Sequence, residues 1–295
     1  MAQAISEYLT TRELAELLRI KERKVYDLAS SGEIPCSRAM GKLLFPRHAV
    51  EAWLAENSSG YAPAASIQGP PVVLGSHDPL LEWALRESRC GLATFFDGSL
   101  DGLDRFARGE GVATGLHLFD PETRGWNVAA VQSRFARQRI VLVEFAWRER
   151  GLMVAAKNAK KVSGIAGLKG MHMVPRQPEA GSQRLFEHLL GEAGLTPKDV
   201  SFAAPARSET DAAAVVREGT ADVAFGLKGV AAQFGLAFVP IVRERFDLLV
   251  ERRAWFEPPM QKFLDFCRTD SFHSRASKQH GYDASGFGRV HFNGA

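Results

Sequence analysis

The chain is 295 residues long, 45% hydrophobic and 24% charged, with a formal net charge of +3. Those values belong to an ordinary folded chain of about two domains and exclude a disordered or collagen-like one. Cys36, Cys90 and Cys267 are scattered and odd in number, so neither a disulfide framework nor a paired zinc spacing can be read from them. No apolar run approaches the roughly 20 residues of a bilayer span, and the start Met1-Ala2-Gln3-Ala4 lacks a basic, apolar leader. A cytoplasmic location is therefore expected.

Thr10-Thr11-Arg12-Glu13 has the form of a capping box, with Leu14, Leu17 and Leu18 following at helical spacing. Arg19-Ile20-Lys21 reads as a turn. A second helix is expected over about Glu22 to Ser31, with Val25 and Leu28 inward and Gly32 as its C-cap. The short runs Ile34-Pro35-Cys36 and Leu43-Leu44-Phe45, separated by Ser37 to Lys42, predict a hairpin, or wing, with Gly41 easing its turn. Pro46 would open a third helix whose inner face is Ala49, Val50, Trp53 and Leu54.

Charge placement suggests what this unit touches. Residues 1–60 hold 8 Lys/Arg and 8 Asp/Glu, yet the stretch from Arg19 to Arg47 holds 7 basic residues against 3 acidic ones. The excess falls on the turn, the second helix and the hairpin, where a duplex would lie. Lys21, Arg23, Lys24 and Tyr26 are the candidate contacts of a recognition helix, and Arg38 and Lys42 are candidate wing contacts to phosphate.

From Ser58 to Pro71 the chain is rich in small residues and proline and reads as a linker. Strand-like and helix-like segments then alternate: Val72–Leu74, a helix over Pro79–Ser88, Gly91–Phe96, a helix over Leu100–Ala107, and Val112–Leu118. Strands at Ile140–Phe145, Leu152–Ala155, Met171–Val174, Ala221–Phe225 and Phe238–Ile241, with a helix over Ser182–Leu190, continue the pattern. Such alternation predicts an α/β fold with a largely parallel sheet, which binds ligands beyond strand C-termini. Two turns suit an anion: Gly75-Ser76-His77-Asp78-Pro79, and Gly181-Ser182 preceded by Arg176-Gln177. Taken singly, Ser76 and Ser182 read as ordinary helix N-caps.

Two resemblances extend this reading. Tyr8-Leu9-Thr10-Thr11-Arg12-Glu13-Leu14-Ala15-Glu16-Leu17-Leu18, with Val25-Tyr26 and Gly32-Glu33-Ile34-Pro35, resembles the excisionase/MerR-like winged helix-turn-helix family, over about residues 6–57. The remainder resembles the periplasmic-binding-protein-like domain that some bacterial one-component transcription regulators fuse to a winged helix. The matching residues are Gly75-Ser76-His77-Asp78, Gly115 to Asp120 with Asn127, Arg148-Glu149-Arg150-Gly151-Leu152 and Arg176-Gln177. Asp222, Glu244 to Leu248 and Gly281-Tyr282-Asp283 complete the set.

The resemblances imply a winged helix-turn-helix at 1–58 (an all-α unit apart from its wing), a linker at 59–71 and a two-lobed α/β sensor of type II at 72–295. They also imply operator DNA as a partner, a homodimer or higher oligomer, no cofactor, and residues around Arg148 and Glu244 near the lobe crossovers. The expected ligand contacts are Ser76, His77, Asp78, Arg148, Arg176, Gly181, Ser182, Glu209 and Thr210. Molybdate or tungstate is the first ligand implied. The second turn, however, reads Arg176-Gln177-Pro178-Glu179-Ala180-Gly181-Ser182-Gln183, where the family usually has Arg-Gln-x-Gly-Ser-Gly-Thr-Arg. A carboxylate at Glu179 is unfavourable beside a doubly charged oxyanion unless it points away. Another small anion, such as an organic acid, or a polar organic ligand is the alternative.

Enzymatic chemistry has little footing. Ser76, His77 and Asp78 are adjacent and cannot form a relay, and His172, His188, His273, His280 and His291 show no metal spacing. The remaining alternatives are a molybdenum-cofactor-related enzyme and an architectural DNA-binding protein with an oligomerisation domain.

Overall fold

The computed structural model describes residues 7–39, 41–56 and 69–295. Met40 of the hairpin turn and most of the linker (57–68) lie outside the described residues. The chain divides into two compact units, Met1–Ala65 and Ser66–Ala295.

The N-terminal unit runs β1 (Tyr8–Thr10), α1 (Thr11–Leu18), α2 (Glu22–Ser30), β2 (Ser37–Ala39), β3 (Lys42–Pro46) and α3 (Arg47–Glu56). Thr10 is the N-cap of α1: its Oγ1 accepts from the Glu13 N–H at 3.3 Å, and its own N–H donates to Glu13 Oε2 at 2.7 Å. Arg19, at φ 53°, ends that helix in the left-handed region, and Gly32, at φ 73°, follows α2. Leu9, Leu14, Ala15, Val25, Ala29, Ile34, Phe45 and Val50 form the core.

Three expectations shift. Leu17 is 46% exposed, because Ala15 rather than Leu17 shares the inner face with Leu14. The first hairpin strand is Ser37–Ala39 rather than Ile34–Cys36, because Ile34 turns into the core and Pro35 offers no N–H to a ladder. The unit also carries a strand that no alternation announced: β1 pairs antiparallel with β3, Leu9 opposite Phe45.

The larger unit has two lobes. The first contains β4 (Val72–Gly75), α4 (Pro79–Ser88), β5 (Ala93–Phe96), α5 (Ser99–Ala107), β6 (Ala113–Leu116), the small hairpin β7 (Phe119–Asp120) and β8 (Gly125–Trp126), and α6 (Val128–Phe135). A crossover strand, β9 (Ile140–Val154), leads to the second lobe: β10 (His172–Val174), α7 (Gly181–Glu192), β11 (Ser201–Phe202), α8 (Glu209–Arg217), β12 (Val223–Leu227) and α9 (Lys228–Gln233). The return strand β13 (Ala237–Glu251) brings the chain back to α10 (Arg252–Trp255), α11 (Pro258–Cys267), α12 (Asp270–Lys278), β14 (Tyr282–Asp283) and β15 (Val290–Asn293).

Pairing is parallel inside each lobe, β5–β4–β6 and β11–β10–β12. The crossover strands add antiparallel pairs, β12–β9, β9–β13 and β13–β6, so the sheet as a whole is mixed. In the first lobe α4, α11 and α12 pack on one face and α5 and α6 on the other. In the second, α7 covers one face and α8 and α9 the other. Sheets covered on both faces carry the near-continuous apolar runs seen in β6 and β12.

The crossover strands are longer than their apolar runs. Arg148-Glu149-Arg150-Gly151 interrupts the hydrophobic pattern and suggests two strands, yet β9 passes through it without a break. Its two guanidiniums are paired inside the protein, so their burial does not require a turn to solvent. The same holds for Glu244-Arg245-Phe246-Asp247 within β13.

Candidate functional site

Between the lobes lies a chain of buried charges. Arg148, 1% exposed, donates from Nη1 to Asp78 Oδ2 at 2.7 Å and from Nη2 to Glu244 Oε1 at 2.5 Å. Arg150, fully buried, donates from Nε to Glu244 Oε2 at 2.7 Å, and its Nη2 lies 2.6 Å from Glu209 Oε1. That second contact is too bent to count as a hydrogen bond, and Nη1 has no partner among the described residues. The Tyr282 hydroxyl donates to Asp78 Oδ2 at 2.6 Å, and His117 Nδ1 stands 3.1 Å from Glu244 Oε2. The chain thus runs from the N-cap of α4, through both crossover strands, to the first turn of α8.

The protonation states follow from this geometry. Burial alone would raise the Glu244 carboxyl, but the Arg148 and Arg150 guanidiniums outweigh it and hold the group well below the ordinary carboxylate range. Burial pushes the His117 imidazole down against the pull of Glu244, which keeps the ring neutral at pH 7. Burial and the Asp78 carboxylate drive the Tyr282 phenol well up.

Beside this chain opens a cleft of about 420 Å³. One wall is His77, Phe95, Phe96 and Asp97 from the first lobe, and the other is Arg176, Arg207, Ser208 and Thr210 from the second. Phe95, on the edge strand β5, is 46% exposed, and the His77 ring meets Phe96 edge-on at 5.8 Å. Arg176 is fixed by its own lobe, Nε to the Ala206 carbonyl at 2.9 Å and Nη2 to the Arg207 carbonyl at 2.6 Å. Desolvation lowers its pKa from the usual guanidinium value.

The lobes touch next to the cleft. Gln177 Nε2 donates to the Asp97 carbonyl at 2.9 Å, and the Leu100 N–H at the start of α5 reaches the Glu179 carbonyl at 3.4 Å. The Glu179 side chain itself is exposed, and Gln183 turns back to accept from the Arg176 N–H at 2.9 Å. The unusual turn therefore spends its backbone on the opposite lobe and keeps its carboxylate out of the cleft.

The nine expected ligand residues separate into groups. His77, Arg176 and Thr210 line the cleft. Asp78, Arg148 and Glu209 belong to the buried charge chain. Ser76, Gly181 and Ser182 are buried at the junction of the lobes, where Ser76 Oγ is 2.7 Å from Ser99 Oγ and Ser182 Oγ has no partner among the described residues. The N-caps differ from the reading of the sequence: Asp78 caps α4, accepting from the Leu81 N–H at 2.8 Å, and Ala180 precedes α7. Phe95, Phe96, Asp97, Arg207 and Ser208 were not expected in the site. Two aromatics closing a strand just before an Asp-Gly helix start were the signal for the first three, since that is where α/β sheets place ligands.

In the N-terminal unit Lys21, Arg23, Lys24, Tyr26, Arg38 and Lys42 are all exposed. Lys21 is the N-cap of α2, with Arg23 and Lys24 in the first turn. Arg38 does not end at the hairpin tip: Nη2 reaches the Ala29 carbonyl near the end of α2 at 3.5 Å. A groove of about 410 Å³, lined by Tyr26, Ser30, Arg38 and Lys42 among others, separates helix and hairpin.

Comparison with known proteins agrees with both units. A helix-turn-helix domain model matches residues 8–58, and a PBP superfamily domain model matches residues 82–268. The uncharacterized protein YvgK of Bacillus subtilis (strain 168) is 24% identical over 302 residues, covering 95% of this chain and 96% of its own. Among solved structures, an ABC-type phosphate transport receptor from Vibrio cholerae shares 16% identity over 72% of this chain and 98% of that one, with a TM-score of 0.47. Full-length CbnR, solved with its target DNA complex, shares 16% identity over 88% of this chain and 93% of that one, with a TM-score of 0.45. Among the described residues no helix is long and apolar enough to cross a membrane. The chain belongs to the PBP superfamily and joins to that domain an N-terminal helix-turn-helix, the pairing of a ligand-sensing DNA-binding regulator rather than of an enzyme.

Proposed function

We propose that this protein works in the cytoplasm as a homodimer on two-fold operator DNA, and that a small anion held between the lobes of its C-terminal unit sets its DNA affinity. The observation that carries the ligand half is the placement of Arg176. Its guanidinium is fixed by two carbonyls of its own lobe, partly desolvated, and faces a cleft closed on the other side by a different lobe. A side chain held in place this way gives up little entropy when a ligand arrives. Ser208 and Thr210 add hydroxyls to the same wall. Of the ligand classes open from the sequence, a small organic acid suits these walls better than a molybdate-like oxyanion, because one wall is largely aromatic.

The DNA half rests on Lys21, Arg23 and Lys24 at the exposed start of α2 and on Lys42 across the groove. Phosphate contacts from such residues supply most of the affinity, and side chains along α2 read base edges. A thermal-shift screen of small anions on the full chain, repeated on Arg176→Lys and Thr210→Val, tests the sensor. Stabilisation of the wild type that falls in both variants is expected, and equal stabilisation of all three proteins would refute the cleft.

A further inference from the structure

We propose that the cleft takes a planar aromatic monocarboxylate, its ring against Phe95, Phe96 and His77 and its carboxylate toward Arg176 and Arg207. This rests on the reading of the cleft as the sensor site and goes beyond it by naming the chemical class.

Phe95 supplies the first reason. It is 46% exposed near the end of an edge strand, at the lining of the cleft. One face of the ring is covered by the Arg105 guanidinium, 4.3 Å from its centroid. Phe96 and His77, edge-on to each other at 5.8 Å, line the same side of the cleft, and rings of this kind bind other rings in offset or edge-on contact. A tetrahedral oxyanion makes no use of such a wall.

Charge supplies the second reason. The rim carries Arg176 and Arg207 against Asp97, a formal balance of +1. His77 is committed to Glu82, 3.0 Å from its Nε2, and the deeper guanidiniums Arg148 and Arg150 face three carboxylates, Asp78, Glu244 and Glu209, so the buried chain offers an anion no spare positive charge. The rim therefore has a counter-charge for one carboxylate, whereas the second charge of a dianion would meet only the surplus carboxylate of the buried chain. Arg207 is 84% exposed along its side chain and only loosely held, 3.8 Å from Asp97 Oδ1, so its planar group is free to pair with a carboxylate or to lie over a ring.

Size agrees. About 420 Å³ falls within the roughly 300–1,000 Å³ of small-molecule sites, and a bare four-oxygen anion would leave most of it unfilled. Thr210, whose Oγ1 is 2.8 Å from Ser208 Oγ, offers a hydroxyl for a polar substituent on the ring.

Isothermal titration calorimetry of the full chain with benzoate, cyclohexanecarboxylate and molybdate tests the class. Benzoate is expected to bind most tightly, with Phe95→Leu and Phe96→Leu each weakening it by about three- to ten-fold and leaving cyclohexanecarboxylate nearly unchanged. Arg207→Ala should weaken both carboxylates together. Tighter binding of molybdate than of benzoate, or benzoate affinity indifferent to both Phe variants, overturns the aromatic class and leaves the cleft standing if Arg176→Lys still weakens whichever anion binds. Wild-type affinity in Arg176→Lys, or no heat from any of the three anions, overturns both.

Discussion

Arg148 and Glu244 face each other across the two strands that join the lobes, register partners whose side chains meet at 2.5 Å with almost no exposure to solvent. Each bond in this pair is shared: Arg148 also holds Asp78, and Glu244 also holds Arg150 and His117. The strands that join the lobes therefore hold their charged side chains on partners inside the protein. Replacing Glu244 by Gln removes the carboxylate that both guanidiniums share, leaving Arg148 with Asp78 and Arg150 with Glu209, and about 1–3 kcal/mol of stability should be lost. Urea denaturation measures this. A change below about 1 kcal/mol would show that the pair is energetically idle.

His117 gives the fold an acid limit. Its imidazole is kept neutral by burial, so its pKa in the folded state is lower than the 6.5 of the unfolded chain. The sign follows from linkage: the stability this ring contributes is present above pH 6.5 and is lost as pH falls toward the folded value, because the unfolded chain binds the proton first. Glu244, held well below its ordinary 4.5, acts in the same direction at lower pH. Stability should fall as pH drops from about 7 to about 5, and His117→Gln should flatten that stretch of the curve. A parallel slope in the variant would assign the loss to other groups.

Ser182 bears on the junction of the lobes. Its hydroxyl is buried, 2% exposed, and has no partner among the described residues. An unpaired buried hydroxyl costs about 1–3 kcal/mol, so Ser182→Ala should stabilise the ligand-free protein by about 1 kcal/mol. Thermal melts of the two proteins without added anion check this, and a destabilised variant would mean that Oγ is engaged.

Much of this architecture was legible in the sequence. The capping box at Thr10, the αL residue after α2, and the strands and helices of the first lobe stood close to where alternation and caps placed them. Periodicity reports burial, however, and fails where a buried side chain is charged. Arg148, Arg150 and Glu244 break the apolar runs of β9 and β13, so each long strand looked like a fragment. The cleft was half-visible for a related reason. His77, Arg176 and Thr210 carry chemistry that a sequence displays, while Phe95 and Phe96 look like strand core, although the sheet edge leaves Phe95 exposed and Phe96 half-buried. Asp78 and Glu209 show the converse: polar residues at helix starts that serve the internal charge chain.

At the other end of the chain, Arg23 and Lys24 are exposed in the first turn of α2, and their removal leaves the core of that unit untouched. The double variant Arg23→Ala/Lys24→Ala should bind duplex DNA more weakly. Its salt dependence should be shallower by about two charges, close to 0.9 in logarithmic slope for each phosphate no longer neutralised. Fluorescence anisotropy across a salt titration gives the slope. An unchanged slope would move the interface away from α2.

Coupling between the two units is measured most directly as the affinity of the full protein for a duplex selected from a random pool by the protein itself, with and without saturating benzoate. Binding linkage requires a ligand that alters DNA affinity to have its own affinity altered by DNA to the same degree, typically by about 5- to 150-fold. A shift of that size in the wild type, absent in Arg176→Lys, is the predicted result. DNA affinity that stays constant while calorimetry shows the cleft occupied would contradict it.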